Sequence, residues 1–198
     1  MHIEEMEFES RVLISEEKYF EIASDLFRTH PHNKVIDQTN QYFDTDDLKL
    51  RGMHIALRIR TVKGKGAVLT LKVKGETGDI ETTQSFTYFQ HVALVKKSHF
   101  PKGMVVDKLK TLGVPLTDIK YQTELFTRRM QIDEDGYNYC VDKNVYNNII
   151  DYNVEVEASS REEAKEIMKR LANKYGFDSS EQCKGKSTRA LLSLKKNL

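Results

Sequence analysis

The sequence predicts an α+β fold in which a dominant antiparallel sheet of about eight strands closes into a barrel, or tunnel, with its helices packed outside. Three observations lead there. Strand-like runs follow one another through hairpin-length links, which favours antiparallel pairing. Helical stretches number about three or four, too few to cover both faces of a sheet. Like charges are also sorted strand by strand, as Glu-Glu, Arg-Arg, Lys-Lys and Glu-Glu pairs two residues apart. Such pairs repel unless something between the strands offsets them. A closed barrel with a polar lumen supplies that setting; on these patterns alone, a plain sheet with one polar face remains the alternative.

The opening stretch alternates cleanly, with Glu5, Glu7, Glu9 and Arg11 on one face and Met6, Phe8 and Val12 on the other. Ser15 can cap a helix that carries Tyr19, Phe20, Ile22, Ala23, Leu26 and Phe27 and ends before His30-Pro31-His32, read as an exposed turn. Asp37 to Asp44 forms a strand with Gln38, Asn40, Tyr42 and Asp44 on one face, followed by a polar turn at Thr45-Asp46-Asp47. From Met53 to Thr61, His54, Ala56, Arg58 and Arg60 oppose Ile55, Leu57 and Ile59. After a Gly64-Lys65-Gly66 turn, Thr70, Lys72 and Lys74 oppose Leu69, Leu71 and Val73. The strand from Gly78 places Glu81, Thr83 and Ser85 together, but Gln84 between Ile80 and Phe86 leaves inside and outside unassigned.

His91 to Gly113 reads as an irregular middle with one short helix through Val105, Val106, Leu109 and Leu112. Strands resume at Tyr121 to Ile132 and, past the Asp135-Gly136 turn, at Tyr137 to Asp142. Asp151 to Ala158 nearly copies the opening strand, with Asp151, Asn153, Glu155 and Glu157 on its polar face. A helix then starts from Ser160 and Glu163, spaced as a capping box, and stops at Gly176. Lys184, Lys186 and Arg189 lead into a short apolar helix at Ala190 to Leu194.

The chain has 198 residues, enough for one sizeable domain, and residues 1–198 are read as one. Lys and Arg number 31 against 30 Asp and Glu, a net charge of +1, which argues against a dedicated nucleic-acid binder. The acidic start and the lack of a long apolar run argue against a signal peptide or a membrane helix, so a cytoplasmic protein is expected. Cys140 and Cys183 stand far apart without metal-ligand spacing and read as thiols in a reducing compartment. Acidic pairs inside a barrel would gather a hard divalent cation, and pairs of arginine and lysine would clamp a ligand rich in anionic oxygens. Together they favour a substrate bearing a polyphosphate.

The residues resemble the CYTH domain, or triphosphate tunnel metalloenzyme, family. Glu7-Phe8-Glu9-Ser10-Arg11 matches its Glu-x-Glu-x-Lys signature, with arginine in the lysine position. In order along the chain come Tyr42-Phe43-Asp44-Thr45, Leu57-Arg58-Ile59-Arg60, Thr70-Leu71-Lys72, Glu81, Thr127-Arg128, Asp142, Glu155-Val156-Glu157 and Lys186-Ser187. The resemblance implies an eight-stranded antiparallel tunnel that holds a triphosphate beside Mg²⁺ or Mn²⁺. It implies metal ligands at Glu7, Glu9, Asp142, Glu155 and Glu157, and phosphate contacts from Arg11, Arg58, Arg60, Lys72, Lys74, Arg128 and Lys186. Parity with Thr127 and Gln131 keeps Arg129 as the alternative to Arg128. The implied reaction is metal-assisted hydrolysis of inorganic triphosphate or a related compound, with Glu7 or Glu9 as catalytic residues that orient and deprotonate water. A class IV adenylate cyclase and a noncatalytic nucleotide or polyphosphate module are the alternatives. Arg11 puts a lysine-based mechanism in doubt, because a guanidinium stays protonated. Homodimerisation is left open.

Overall fold

In the computed structural model, which describes residues 2–194, eight strands close into a barrel. They are β1 (His2–Ile14), β2 (Lys34–Asp44), β3 (Ile55–Val62), β4 (Ala67–Lys74), β5 (Asp79–Ser85), β6 (Lys120–Glu134), β7 (Tyr137–Tyr146) and β8 (Ile149–Ala158). Their order round the barrel is β1-β5-β4-β3-β2-β6-β7-β8, with every pair antiparallel. The length of β1 makes the closure: its first half pairs with β5 up to Glu7, and its second half pairs with β8 from Phe8 onward. Closure leaves no strand edge to attract another chain.

Strand periodicity then turns the protein inside out. The apolar set of each strand faces outward against helices, and the polar set faces the lumen. One outer core joins Val12, Met130, Val141, Val154 and Val156 to α1 (Glu16–Thr29) and α5 (Arg161–Tyr175). A second joins Leu57, Ile59, Leu69 and Leu71 to α3 (Tyr88–Lys97) and α4 (Met104–Thr111), with Leu50 of α2 (Lys49–Gly52) included. The last helix, α6 (Lys186–Leu194), departs from the expected outer packing. Its Ala190 and Leu191 rest on lumen-facing Tyr42, Leu125 and Tyr146 together with Leu48. Asn147, in the β7–β8 turn, donates to the Ala190 carbonyl at 3.0 Å, so α6 lies across one end of the barrel.

Among the described residues six α-helices form where three or four were expected. The addition of α3 falls in the stretch read as irregular. Its Thr87 and Gln90 make a capping box, and Leu94 is fully buried. The short α2 is held by Asp44, whose carboxylate accepts from the backbone N–H groups of Thr45, Leu50 and Arg51 at 2.8, 2.9 and 3.0 Å. The α5 cap also differs in detail. Ser160 accepts from Glu163 N at 3.1 Å as expected, but the Glu163 carboxylate reaches the backbone N–H of Ser159 at 3.1 Å instead of that of Ser160. Gly176 ends α5 in the left-handed conformation at φ 67°, the backbone geometry that made a glycine stop legible. The ambiguous β5 resolves outward at Gln84, whose buried amide oxygen accepts from Val105 N at 3.0 Å at the start of α4.

Candidate active site in the barrel lumen

The alternation that buries valine and leucine outside delivers charge to a lumen cavity of about 610 Å³. Glu7, Glu9 and Arg11 of β1, Arg58 and Arg60 of β3, Lys72 and Lys74 of β4, Glu155 and Glu157 of β8, and Lys186 of α6 all line it. The register explains their meeting: Glu9 lies opposite Glu157, Arg11 opposite Glu155, Lys72 opposite Glu81, and Asp79 opposite Glu7. Two expected residues are not among the lining. Asp142 is fully buried beneath the lumen surface, and Arg128 points outward, where its side chain is 55% exposed and pairs bidentately with Asp37 at 2.8 and 2.9 Å. Parity decides the correction: Thr127, Arg129 and Gln131 share one face of β6, and Arg129 is the lumen arginine.

Three groupings divide the charge. At the wall formed by β6, β7 and β8, Arg129 forks onto Asp142 at 2.9 and 2.8 Å and also pairs with Glu155. Lys186 reaches Asp142 at 2.8 Å and Glu155 at 2.6 Å, and Arg11 pairs with Glu155 as well. Burial favours the neutral form of Glu155, but Arg11, Lys186 and Arg129 outweigh it and hold its pKa well below the ordinary carboxylate value. Asp142 is lowered in the same way by Arg129 and Lys186 against its burial. Both carboxylates were expected among metal ligands; as placed, they are instead bound to arginine and lysine.

On the adjoining wall Lys72 bridges Glu7 at 2.7 Å, Glu9 at 3.1 Å and Asp79 at 3.4 Å. Glu9 also meets Arg11 at 2.5 Å. Burial would raise the Glu9 pKa, yet Arg11 and Lys72 together bring it down to about 2. Glu157 behaves in the opposite sense, for its pKa is raised, first by burial and then by the negative charge of Glu7. Among the described residues its only side-chain hydrogen bond is a long one from Asn138, at 3.4 Å.

The third grouping is cationic. Arg58 donates from Nη2 to Glu81 at 2.9 Å, while its buried Nε has no hydrogen-bond partner among the described residues. Arg60 makes one contact, to the side-chain oxygen of Asn40 at 3.3 Å, and no ion pair among the described residues. Burial and then repulsion from Arg58 push the Arg60 pKa down to about 10. Beside them the hydroxyl of Tyr42 is buried and unpaired. Unpaired buried donors next to a cation without a counter-ion form an anion site.

The acidic donors suit a hard divalent ion, which takes oxygen ligands. The charges of Glu7 and Glu9 bear on Glu157, which forms no ion pair among the described residues. Among the described residues no three such side chains already converge as a ready ligand shell, since Lys72 stands between Glu7 and Glu9. Sequence reasoning missed Asp79, which shares parity with Glu81, and Arg51, whose place on the cavity wall comes from the α2 turn and left no periodic signal.

The CYTH domain family model matches residues 5–184. YjbK of Bacillus subtilis (strain 168), named as a proposed triphosphatase, is 32% identical over 178 residues, covering 90% of each chain. A crystal structure from Bacillus halodurans, named as a proposed adenylate cyclase, is 30% identical with a TM-score of 0.85, covering 94% of this chain and 97% of that one. HpAC1 of Hippeastrum, named as a proposed adenylyl cyclase with a dominant triphosphatase activity, is 19% identical with a TM-score of 0.67 over 96% of each chain and shares the fold.

Proposed function

The chain belongs to the CYTH domain family, and from that premise we propose that it is a cytoplasmic, divalent-metal-dependent hydrolase of inorganic triphosphate or a related triphosphate, built as a single domain. The observation that carries this reading is the segregation of charge in one lumen. Arg60 has no carboxylate and Arg58 keeps a free Nε on the β3 side, while Glu7, Glu9 and Glu157 gather on the β1 and β8 side. A phosphate chain supplies the anion the first group lacks. Mg²⁺ or Mn²⁺ would supply the charge that Glu157 lacks and share Glu7 and Glu9 with Lys72.

Glu7, Glu9 and Glu157 would hold the ion, with Lys72 giving way as it binds. When bound, the ion would draw charge from the phosphoryl oxygens and acidify water for attack. Arg58, Arg60 and Lys72 would clamp the phosphates and stabilise charge that grows on the leaving oxygen, the largest part of catalysis in phosphoryl transfer. Glu7 would orient the attacking water and take its proton, with Glu9, whose pKa Arg11 and Lys72 bring down to about 2, charged beside it. Arg11 has its pKa raised well above the ordinary value by Glu155 and Glu9 despite burial, so it acts as a fixed charge that positions those carboxylates. Lys74 stands at the exposed rim of the cavity, where it can meet the outer end of a ligand.

The test is phosphate release from tripolyphosphate, thiamine triphosphate and ATP with Mg²⁺ or Mn²⁺. Metal-dependent release from tripolyphosphate that Glu7→Gln abolishes is the expected result. Production of cyclic AMP from ATP would favour the cyclase activity in the name of the Bacillus halodurans relative. Tight binding with no turnover of any of the three would leave a binding module.

A further inference from the structure

We propose that the outer face of β6, β7 and β8, together with the free flank of α1, is a docking surface for a second copy of this chain, paired about a two-fold axis.

The helical coat of the barrel has a gap there. On the outward side of β6, Met130 and Ile132 lie in the core under the helices, but Phe126, of the same parity, belongs to no apolar core among the described residues. Val145 stands in the same relation to Val141 on β7, and Ile150 to Val154 and Val156 on β8. Register joins the three into one row, with Phe126 opposite Val145 and Val145 opposite Ile150. Phe126 is partly exposed, Val145 38% and Ile150 55%. Apolar residues exposed singly are ordinary, but a contiguous cross-strand row of them marks an interaction surface.

The free flank of α1 borders the row. Lys18 donates to the Tyr175 carbonyl and Asp25 accepts from the Tyr175 hydroxyl at 2.9 Å, so one flank of α1 is turned toward α5. Phe20 and Phe27, each two residues further on, are turned by about 200° to the opposite flank. They are 55% and 59% exposed. Phe20 sets its ring edge on Tyr19, whose ring centroid is 4.9 Å from that of Tyr152, the next outward residue after Ile150 on β8.

Charge selects the occupant. Closure leaves no strand edge, so another chain meets this wall face to face. Glu124 lies two residues from Phe126 on one side of the row, and Lys143 lies two residues from Val145 on the other, since Lys143 is opposite Arg128. Glu124 and Lys143 have no ion pair among the described residues, whereas Arg128 is already held by Asp37. With a second copy face down and the two-fold axis along the row, each apolar residue meets its own counterpart. Glu124 of each copy then lies over the side of the other that carries Lys143. Sheets stacked this way sit about 10 Å apart, close enough for the apolar side chains to interdigitate and for Glu and Lys to reach across. A partner of a single sign would leave one of the two charges unmatched.

The experiment is sedimentation velocity of the full chain over about 1–100 µM, the span for a small interface with a polar rim. The native protein should pass from 23.0 kDa to twice that mass as concentration rises. Glu124→Lys alone, or Lys143→Glu alone, sets like charges together in both contacts of the pair and should weaken pairing by at least about tenfold. An equimolar mixture of the two variants has opposite charges in both contacts of the mixed pair, and should associate within about threefold of the native protein. Ile150→Asp, which puts a charge on the axis itself, should leave the chain monomeric. A native chain that stays monomeric throughout overturns the proposal, and so does a mixture that associates no better than its two components. Mass is read here and not phosphate release, so neither outcome bears on the tunnel reading.

Discussion

Arg60 and Arg128 show how much the setting of one side chain decides. Both are arginines on strands, but Arg60 is enclosed beside Arg58 without a carboxylate, and Arg128 sits outside on Asp37. Arg60→Ala should lower kcat/KM for tripolyphosphate by about 100-fold, the scale for losing one preorganised donor. Because removal also relieves repulsion from Arg58, the melting temperature should hold or rise. Arg128→Ala should change activity less than twofold and stability by at most about 1 kcal/mol, as for an exposed pair. Parallel assays of phosphate release and thermal unfolding check both, and equal loss of activity in the two variants would contradict the placement.

The buried carboxylates give a pH signature at the same scale. Glu9, Asp142 and Glu155 all have folded pKa values depressed by neighbouring cations. A depressed acid contributes stability that is complete above its unfolded value and is lost as pH falls toward its folded one. For Glu9, brought from 4.5 to about 2, this corresponds to roughly 3 kcal/mol, lost below about pH 4.5. Urea unfolding at pH 7, 5, 4 and 3 should show a flat upper range followed by a steep fall. A stability that stayed level to pH 3 would mean that the ion-pair network does not hold these groups charged.

At the scale of elements, support and chemistry are separable. Ile167 of α5 is 1% exposed, packed in the outer core against the barrel and away from the lumen. Ile167→Ala should cost about 2–4 kcal/mol through the cavity it leaves, with kcat/KM at 25 °C within twofold. The turn at α2 couples the two roles, because the carboxylate that holds its backbone belongs to Asp44 and the helix carries Arg51 to the cavity wall. Asp44→Ala strands three backbone donors and should cost about 2–4 kcal/mol by denaturant titration. The same variant should also raise the KM for tripolyphosphate as Arg51 loses its place; destabilisation without a KM change would assign Arg51 no part in binding.

For the whole molecule, the inside-out arrangement separates folding from metal binding. The apolar cores lie between barrel and helices, and Glu7, Glu9, Asp142 and Glu155 of the lumen already have lysine or arginine partners without a metal. EDTA should therefore abolish phosphate release and leave the far-UV circular dichroism spectrum unchanged, and added Mg²⁺ or Mn²⁺ should restore the rate. Loss of the spectrum on chelation would mean that the ion is structural. No helix among the described residues is long and apolar enough to cross a membrane.

The sequence by itself determined which faces of the strands carry charge, and with them Glu7, Glu9, Arg58, Arg60, Lys72, Glu155 and Glu157, because a period of two survives any packing arrangement. It also marked the caps at Ser15 and Ser160 and the stop at Gly176, whose signals are local. Only the tertiary structure decided how those charges pair. That Asp142 and Glu155 are taken by Arg129 and Lys186, that Arg128 faces out, and that Gln84 supports α4 all depend on residues distant in the chain. The placement of α6 across the barrel end is of the same kind, since an apolar helix face records that it is buried but not against what. Coulomb energy depends on separations in space, and the charge of the lumen became a site with two ends only once closure set β1 across from β2.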